Sequence, residues 1–240
     1  NINDLEIAWQ WSTQGFGPGT DFVNPSTPIE VDGVLYANVG TTRNVVALDA
    51  TSGQVLWMYR YDEGDRFDEA PRKGAGRGVA YYDNGGKSRI FDISPGYQLI
   101  SLDPETGILE PDFGDSGKVD LYVGVRNGDD PRFAYPDIGI SAPPFIMNDV
   151  IVVGAAHRTG GRPRSKLNTK GDIRGFDVHS GELLWTFHTI PARGEYGYES
   201  WISGNDVTGN SGVWAAISGD PELGHVYLPV EDPTGDYYGG

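Results

Sequence analysis

Four histidines, no cysteine, and 34 acidic against 18 basic residues set what chemistry this chain can do. Without a thiol there is no cysteine nucleophile, no zinc–thiolate centre and no disulfide, so reactivity falls to carboxylates, imidazoles, hydroxyls and cations. A Ser-His-Asp relay needs a serine on a sharp strand-to-helix elbow, and no serine sits in such a context. Glycoside hydrolysis needs two placed carboxylates; acids are plentiful, but nothing singles out a pair. The acidic run Asp62-Glu63-Gly64-Asp65-Arg66-Phe67-Asp68-Glu69 has the composition of a calcium loop without its regular ligand spacing, and reads as a solvated connection. Gly74-Ala75-Gly76-Arg77-Gly78 suggests a phosphate cradle, but the glycine spacing differs from a dinucleotide fingerprint and a strand follows where a helix is needed. His179 and His188 fall on strands and turns and read as structural.

The formal net charge of −16 argues against nucleic-acid or anionic-membrane partners, since those require clustered Lys and Arg. The charge is spread through turns, which reads as a solvated surface. No window has the length and hydropathy of a membrane-spanning helix and no signal peptide opens the chain; the start at Asn1 reads as processed or trimmed. No Asn-x-Ser/Thr acceptor occurs, because Asn24 is followed by Pro25.

The elements that position these residues are short strands. Ala47-Leu48-Asp49-Ala50-Thr51-Ser52-Gly53-Gln54-Val55-Leu56-Trp57 returns as Gly175-Phe176-Asp177-Val178-His179-Ser180-Gly181-Glu182-Leu183-Leu184-Trp185. A weaker copy without the tryptophan runs from Ser101 to Leu109. Each copy reads as strand, aspartate-initiated turn, glycine where φ must be positive, then a strand carrying an indole plug. Repetition of one small antiparallel unit predicts stacked copies of one sheet, as in a propeller. Strands are expected at 5–11, in a hairpin over 29–39 turning at Asp32-Gly33, at 45–48 and 55–59, at 78–82, 89–94 and 98–102 with a weak fourth near Ile108, and over 141–153 turning at Asn148-Asp149. A further unit opens at 225–230, and no amphipathic helix of useful length is expected. The interval from Asp103 to Asp177 is longer than that from Asp49 to Asp103; the surplus lies in polar, Gly/Pro-rich loops over 124–137 and 157–170, where function is expected. The fold class is all-β: residues 1–240 are one partial propeller domain of about three complete four-stranded antiparallel blades with partial ones at each end. Three to four blades do not close comfortably, so the remainder of a larger propeller is the expected partner.

The repeat resembles the tryptophan-docking motif of quinoprotein dehydrogenases, eight-bladed propellers that hold pyrroloquinoline quinone (PQQ), and it is most similar to their glucose dehydrogenase-like branch. Gly76-Arg77-Gly78-Val79-Ala80-Tyr81-Tyr82, the stretch from Ile173 to Trp185, and Val226-Tyr227-Leu228-Pro229 carry the resemblance. It implies PQQ-dependent oxidation of an alcohol or sugar hydroxyl by hydride transfer to the quinone. Electrons would pass to a quinone or cytochrome acceptor, at a periplasmic or inner-membrane-associated location. PQQ is a flat tricarboxylate, so its pocket needs cations and a flat surface. The resemblance puts Arg77 in the place of a cofactor-contacting arginine, Lys73 where a cofactor-adjacent histidine stands, Trp214 at the stacking floor, and Ser141 at a hydroxyl contact. His157 is a further cofactor or substrate contact. Alternatives are a blade-to-blade ion pair for Arg77, a solvated loop charge for Lys73 and a further core plug for Trp214.

The resemblance also implies calcium or magnesium held by hard oxygens, for which Asp232 and Thr234 are the candidates. The chain departs from the family after its Val-Val-Gly strand end, where Gly154-Ala155-Ala156-His157 offers no carboxylate or amide. The family's general base is an aspartate in a later blade, expected beyond Gly240. No catalytic residue is therefore expected within this chain, and residues 1–240 alone are expected to be inert. The alternative is a non-catalytic periplasmic scaffold propeller of the outer-membrane assembly type.

Overall fold

In Val45-Val46-Ala47-Leu48 every residue is apolar, which suits a strand buried on both faces better than one facing water. A computed structural model of the protein, describing residues 2–19, 21–158, 167–201 and 204–233, bears this out. Val45 and Ala47 join a core with Tyr36 and Trp57, while Val46 and Leu48 join a second core with Ala37 and Val39. The period of two thus feeds two cores from one strand.

Three four-stranded antiparallel sheets form in chain order. The first comprises β1 (Ile29–Val31), β2 (Val34–Val39), β3 (Asn44–Asp49) and β4 (Val55–Tyr59). After a single helical turn, α1 (Asp65–Glu69), the second comprises β5 (Ala80–Tyr82), β6 (Arg89–Ile93), β7 (Gln98–Leu102) and β8 (Lys118–Asp120). The third comprises β9 (Phe145–Met147), β10 (Val150–Val153), β11 (Ile173–Asp177) and β12 (Leu183–Phe187); β13 (Ser218–Asp220) and β14 (His225–Tyr227) begin another sheet. The middle sheet shows the stacking: Ile90, Ile100 and Leu102 pack toward the first sheet, whereas Phe91, Ile93 and Leu99 pack toward the third. Sheets stacked in series face to face are propeller blades.

The repeated turns hold the blades together. The Asp49 carboxylate accepts the backbone N–H groups of Thr51 (3.1 Å) and Ser52 (2.7 Å), and Asp103 and Asp177 do the same in their copies. The Trp57 indole N–H donates to the Pro104 carbonyl at 2.8 Å, and the ring lies on Gly107 of the next blade. Trp9 docks on the first turn in the same way, through Ala50 O at 3.0 Å, with Gly53 beneath it. In the copy lacking a tryptophan, Val119 and Phe113 fill the place against Gly181.

Three expectations change. Residues 5–11 form no strand, because no partner strand lies beside them among the described residues; Trp9 alone anchors the segment. The fourth strand of the second blade is Lys118–Asp120 and not the stretch near Ile108, where Leu109 makes only an isolated bridge to Leu102. Pro111, with no N–H to donate, ends that attempt, and tight turns through Gly114 and Gly117 return the chain to the sheet. The acidic run holds α1 and is tied down: Glu63 accepts from Ser94 Oγ (2.6 Å) and Gly96 N (2.8 Å).

Candidate functional site

In an up-and-down four-stranded blade, the connection from the second to the third strand and the exit to the next blade emerge at the same end. The cation-bearing stretch 72–77 lies between β4 and β5, Ser141 between β8 and β9, Ala156 between β10 and β11, and Trp214 between β12 and β13. These segments converge on a hollow of about 380 Å³, lined by Arg72, Lys73, Arg77, Ser141 and Trp214 and floored in part by Gly74, Ala75 and Gly76. The described parts of both surplus loops leave from this same end; residues 159–166 of the second lie outside the described residues.

Arg77 lies with its guanidinium carbon 4.8 Å from the centroid of the Trp214 ring, a cation–π contact. Its side chain is exposed and makes no ion pair among the described residues, so the structure gives no blade-to-blade salt bridge. Its main chain is fixed at both ends: Arg77 N–H donates to Ser141 O at 2.8 Å, and Thr27 N–H donates to Arg77 O at 3.0 Å. Trp214 is 39 % exposed and follows no docking turn, which separates it from the plugs. Its segment is held by Ala155 N–H on Val213 O (3.2 Å) and Gly171 N–H on Asn210 O (2.9 Å). Lys170, buried behind it, donates to the carbonyls of Asn205 and Thr208; burial first, then the Arg126 charge, pushes its pKa down to about 8.

The remaining predicted residues are placed less centrally. Lys73 lines the hollow, but its ammonium turns back to donate to Asp68 O at 2.5 Å, 5.1 Å from the Phe67 ring. Ser141 lines the hollow and offers its carbonyl to Arg77. His157 points away: Nε2 lies 2.9 Å from Thr169 O, and Nδ1 lies 3.9 Å from Glu231 Oε1. Both of these last atoms are buried with no hydrogen-bond partner. With Nε2–H donating to the carbonyl, Nδ1 is left facing the Glu231 carboxylate. Asp232 is exposed and its backbone carbonyl accepts from Asn210 Nδ2 at 3.0 Å. Thr234 lies outside the described residues, which end at Pro233. Gly240 lies outside them too, and the general base expected beyond Gly240 has no position in this structure. The site therefore unites Arg77, Lys73, Trp214 and Ser141, and leaves His157 and Asp232 apart.

The hollow suits a flat polyanion. A chain of net charge −16 brings Arg72, Lys73 and Arg77 into one lining, with Asp21 as its acidic member, beside a partly open indole face, and Gly74 leaves room for close approach. A calcium-type ion is not matched: among the described residues no group of three His, Asp or Glu side chains could hold a metal.

Sequence reasoning missed the residues beneath this wall. Asn38, fully buried, accepts from Gly78 N–H at 3.0 Å and donates to Asp92 Oδ2 at 2.9 Å. Tyr61 also donates to Asp92, at 2.7 Å. Burial outweighs these donors and the Arg43 charge, and pushes the Asp92 pKa up to about 6. Arg43, 1 % exposed, donates to four main-chain carbonyls. The available signal was a charged residue adjoining a wholly apolar strand, which is too common to single out.

The sequence profile of the PQQ glucose/ethanol/alcohol dehydrogenase β-propeller domain matches residues 1–240. The chain is 31 % identical over 264 residues to a quinoprotein glucose dehydrogenase of Escherichia coli K12, covering 100 % of this chain and 30 % of that protein. It is 28 % identical over 250 residues to the glycerol dehydrogenase large subunit of Gluconobacter oxydans 621H, covering 99 % of this chain and 32 % of that one. Among solved structures, the quinohemoprotein alcohol dehydrogenase of Comamonas testosteroni superposes with a TM-score of 0.70 at 20 % identity, covering 98 % of this chain and 32 % of its own, a likeness of fold. The chain spans about a third of the length of the curated relatives it matches.

Proposed function

This chain belongs to the PQQ glucose/ethanol/alcohol dehydrogenase β-propeller family, and we propose on that premise that its hollow forms one wall of a PQQ site serving the oxidation of an alcohol or sugar hydroxyl. The observation that carries the reading is Arg77 against Trp214, an exposed cation and a flat apolar face, in an otherwise acidic chain. PQQ, when bound, supplies an electrophilic quinone that accepts the hydride. The chain's own part is binding and orientation. Arg77 offers a planar fork to a carboxylate or quinone oxygen, Arg72 and Lys73 add positive charge, Trp214 fixes the plane, and the packed blades behind exclude water.

None of the described residues is assigned as the proton acceptor, and no step is derived through calcium or magnesium, since the described side chains provide no ligand set. The electron acceptor in this reading is a quinone or cytochrome and the location periplasmic; both rest on the family membership alone, and fractionation of the source cells tests the second. A scaffold propeller has no need of cations converging on a ring face, which is why the enzymatic reading is preferred.

The test is titration of PQQ into the intact natural protein, followed by indole fluorescence and visible absorption. Saturable quenching with a bound-quinone spectrum is expected. Arg77→Ala should weaken binding roughly ten- to a hundredfold, the equivalent of one charged hydrogen bond of about 1.5–3 kcal/mol. No saturable binding, or equal affinity in the two proteins, would end the reading.

A further inference from the structure

Arg43 sits in the turn between β2 and β3 with a left-handed backbone (φ 54°), a strained conformation for a long side chain. It is nevertheless almost wholly buried, and among the described residues it has no bidentate acid partner. Its guanidinium is spent on main-chain oxygens: Nε–H donates to Gly74 O (3.3 Å), one terminal nitrogen to Ile93 O (2.9 Å) and Ile140 O (2.7 Å), and the other to Arg72 O (2.8 Å). Two of these carbonyls bracket Lys73, and Ile140 immediately precedes Ser141. Asn38 closes the other side of the same loop through Gly78 N–H. The 72–78 stretch is thereby gripped at Arg72 and Gly74 before Arg77 and at Gly78 after it, and the Ser141 stretch is gripped by the same guanidinium. Gly76 completes the fit: a Cβ there would lie 3.0 Å from Arg43 Cδ and Nε.

We propose that Arg43 is a positioning residue, a buried guanidinium hub that sets Arg77 and Ser141 against Trp214 by holding the carbonyls of Arg72, Gly74 and Ile140 together. Only a planar fork reaches four carbonyls arranged around it; a lysine ammonium is a single point with three donors and cannot span them. Asp92 and Glu63 supply the compensating field that lets the charge stay buried. The consequence for cofactor binding rests on the reading above; the placement of Arg77 on Trp214 does not.

The diagnostic variant is Arg43→Lys in the intact protein, which keeps the charge and removes the fork. Trp214 emission is isolated as the difference between each protein and the same protein carrying Trp214→Phe, and is quenched with iodide and with caesium. With Arg77 stacked on the indole, the local positive charge favours iodide. We expect Arg43→Lys to lower the iodide-to-caesium ratio at least twofold. PQQ affinity should fall about tenfold, and less than twofold when Arg77→Ala is already present, because Arg43 then has nothing left to place. If Arg43→Lys does not fold, Arg43→Gln, which buries no charge, carries the same comparison. An unchanged quenching ratio, or an affinity loss just as large in the Arg77→Ala background, overturns the proposal. If the parent protein binds no PQQ, the functional reading falls, while the quenching ratio still decides the role of Arg43.

Discussion

At the scale of single residues the site is a contrast between side chains that reach the surface and others that are buried. Arg77 and Trp214 present exposed surfaces to one another, while Arg43, Asn38 and Asp92 lie buried behind them. Asp92 gives a pH prediction. Its folded-state pKa, about 6, lies above that of an unfolded aspartate, so the folded chain binds the proton more tightly. Between about pH 4 and 6 its contribution to stability falls as pH rises, and above 6 the burial of the ionised carboxylate opposes folding in full. Asp92→Asn, which cannot ionise, should therefore gain in stability on the parent protein as pH rises through that window; melting curves check the sign, and the opposite trend would refute it. Arg77 and Trp214 were legible because the segments around them resemble known ones. Arg43 was not, because its partners are backbone oxygens 29 to 97 positions away, which carry no side-chain signature.

Elements follow from turn chemistry. The three aspartate turns were readable from type and spacing alone, since a carboxylate capping two N–H groups and a glycine at positive φ leave few other structures. Gly107 (φ +68°) has a second duty: an added Cβ would stand 2.4 Å from the Trp57 ring. Gly107→Ala should lower stability in urea by clearly more than Gly85→Ala, where φ is +80° but nothing stands within 4 Å. The second variant measures the backbone term, about 1–2 kcal/mol, and the difference measures the lost docking contact. Equal effects would mean that the indole yields freely. The fourth strand of the second blade was misplaced because the local pattern at Ile108-Leu109 looked adequate, whereas pairing was decided by Pro111 and by the later return of Lys118–Asp120. The 5–11 segment has a strand's alternation yet no strand, since alternation specifies a face and cannot supply a neighbour.

For the whole molecule, the three sheets bury their faces in series until β12, where Leu183, Leu184 and Phe187 are about half exposed and Trp185 is 37 % exposed. The indole that plugs a neighbour elsewhere lies on Gly175 of its own blade. Residues 1–240 produced as they stand should self-associate through this apolar strip, with Leu184→Lys reducing the effect; sedimentation velocity over a range of concentrations checks both. A monomer at every concentration would show that the strip is inert. The propeller class was readable from the repeat. The convergence of 72–77, Ser141 and Trp214 was not, because only the stacked blades bring these connections together.

The two ends of each blade have separate duties. Docking contacts between blades occupy the end with the aspartate turns, whereas the hollow and the described parts of both surplus loops occupy the other. Connections at the hollow can therefore be lengthened or shortened without touching the aspartate turns, whose identical Asp-to-Gly spacing sets one sheet on the next. The scaffold is insulated from its own diversification.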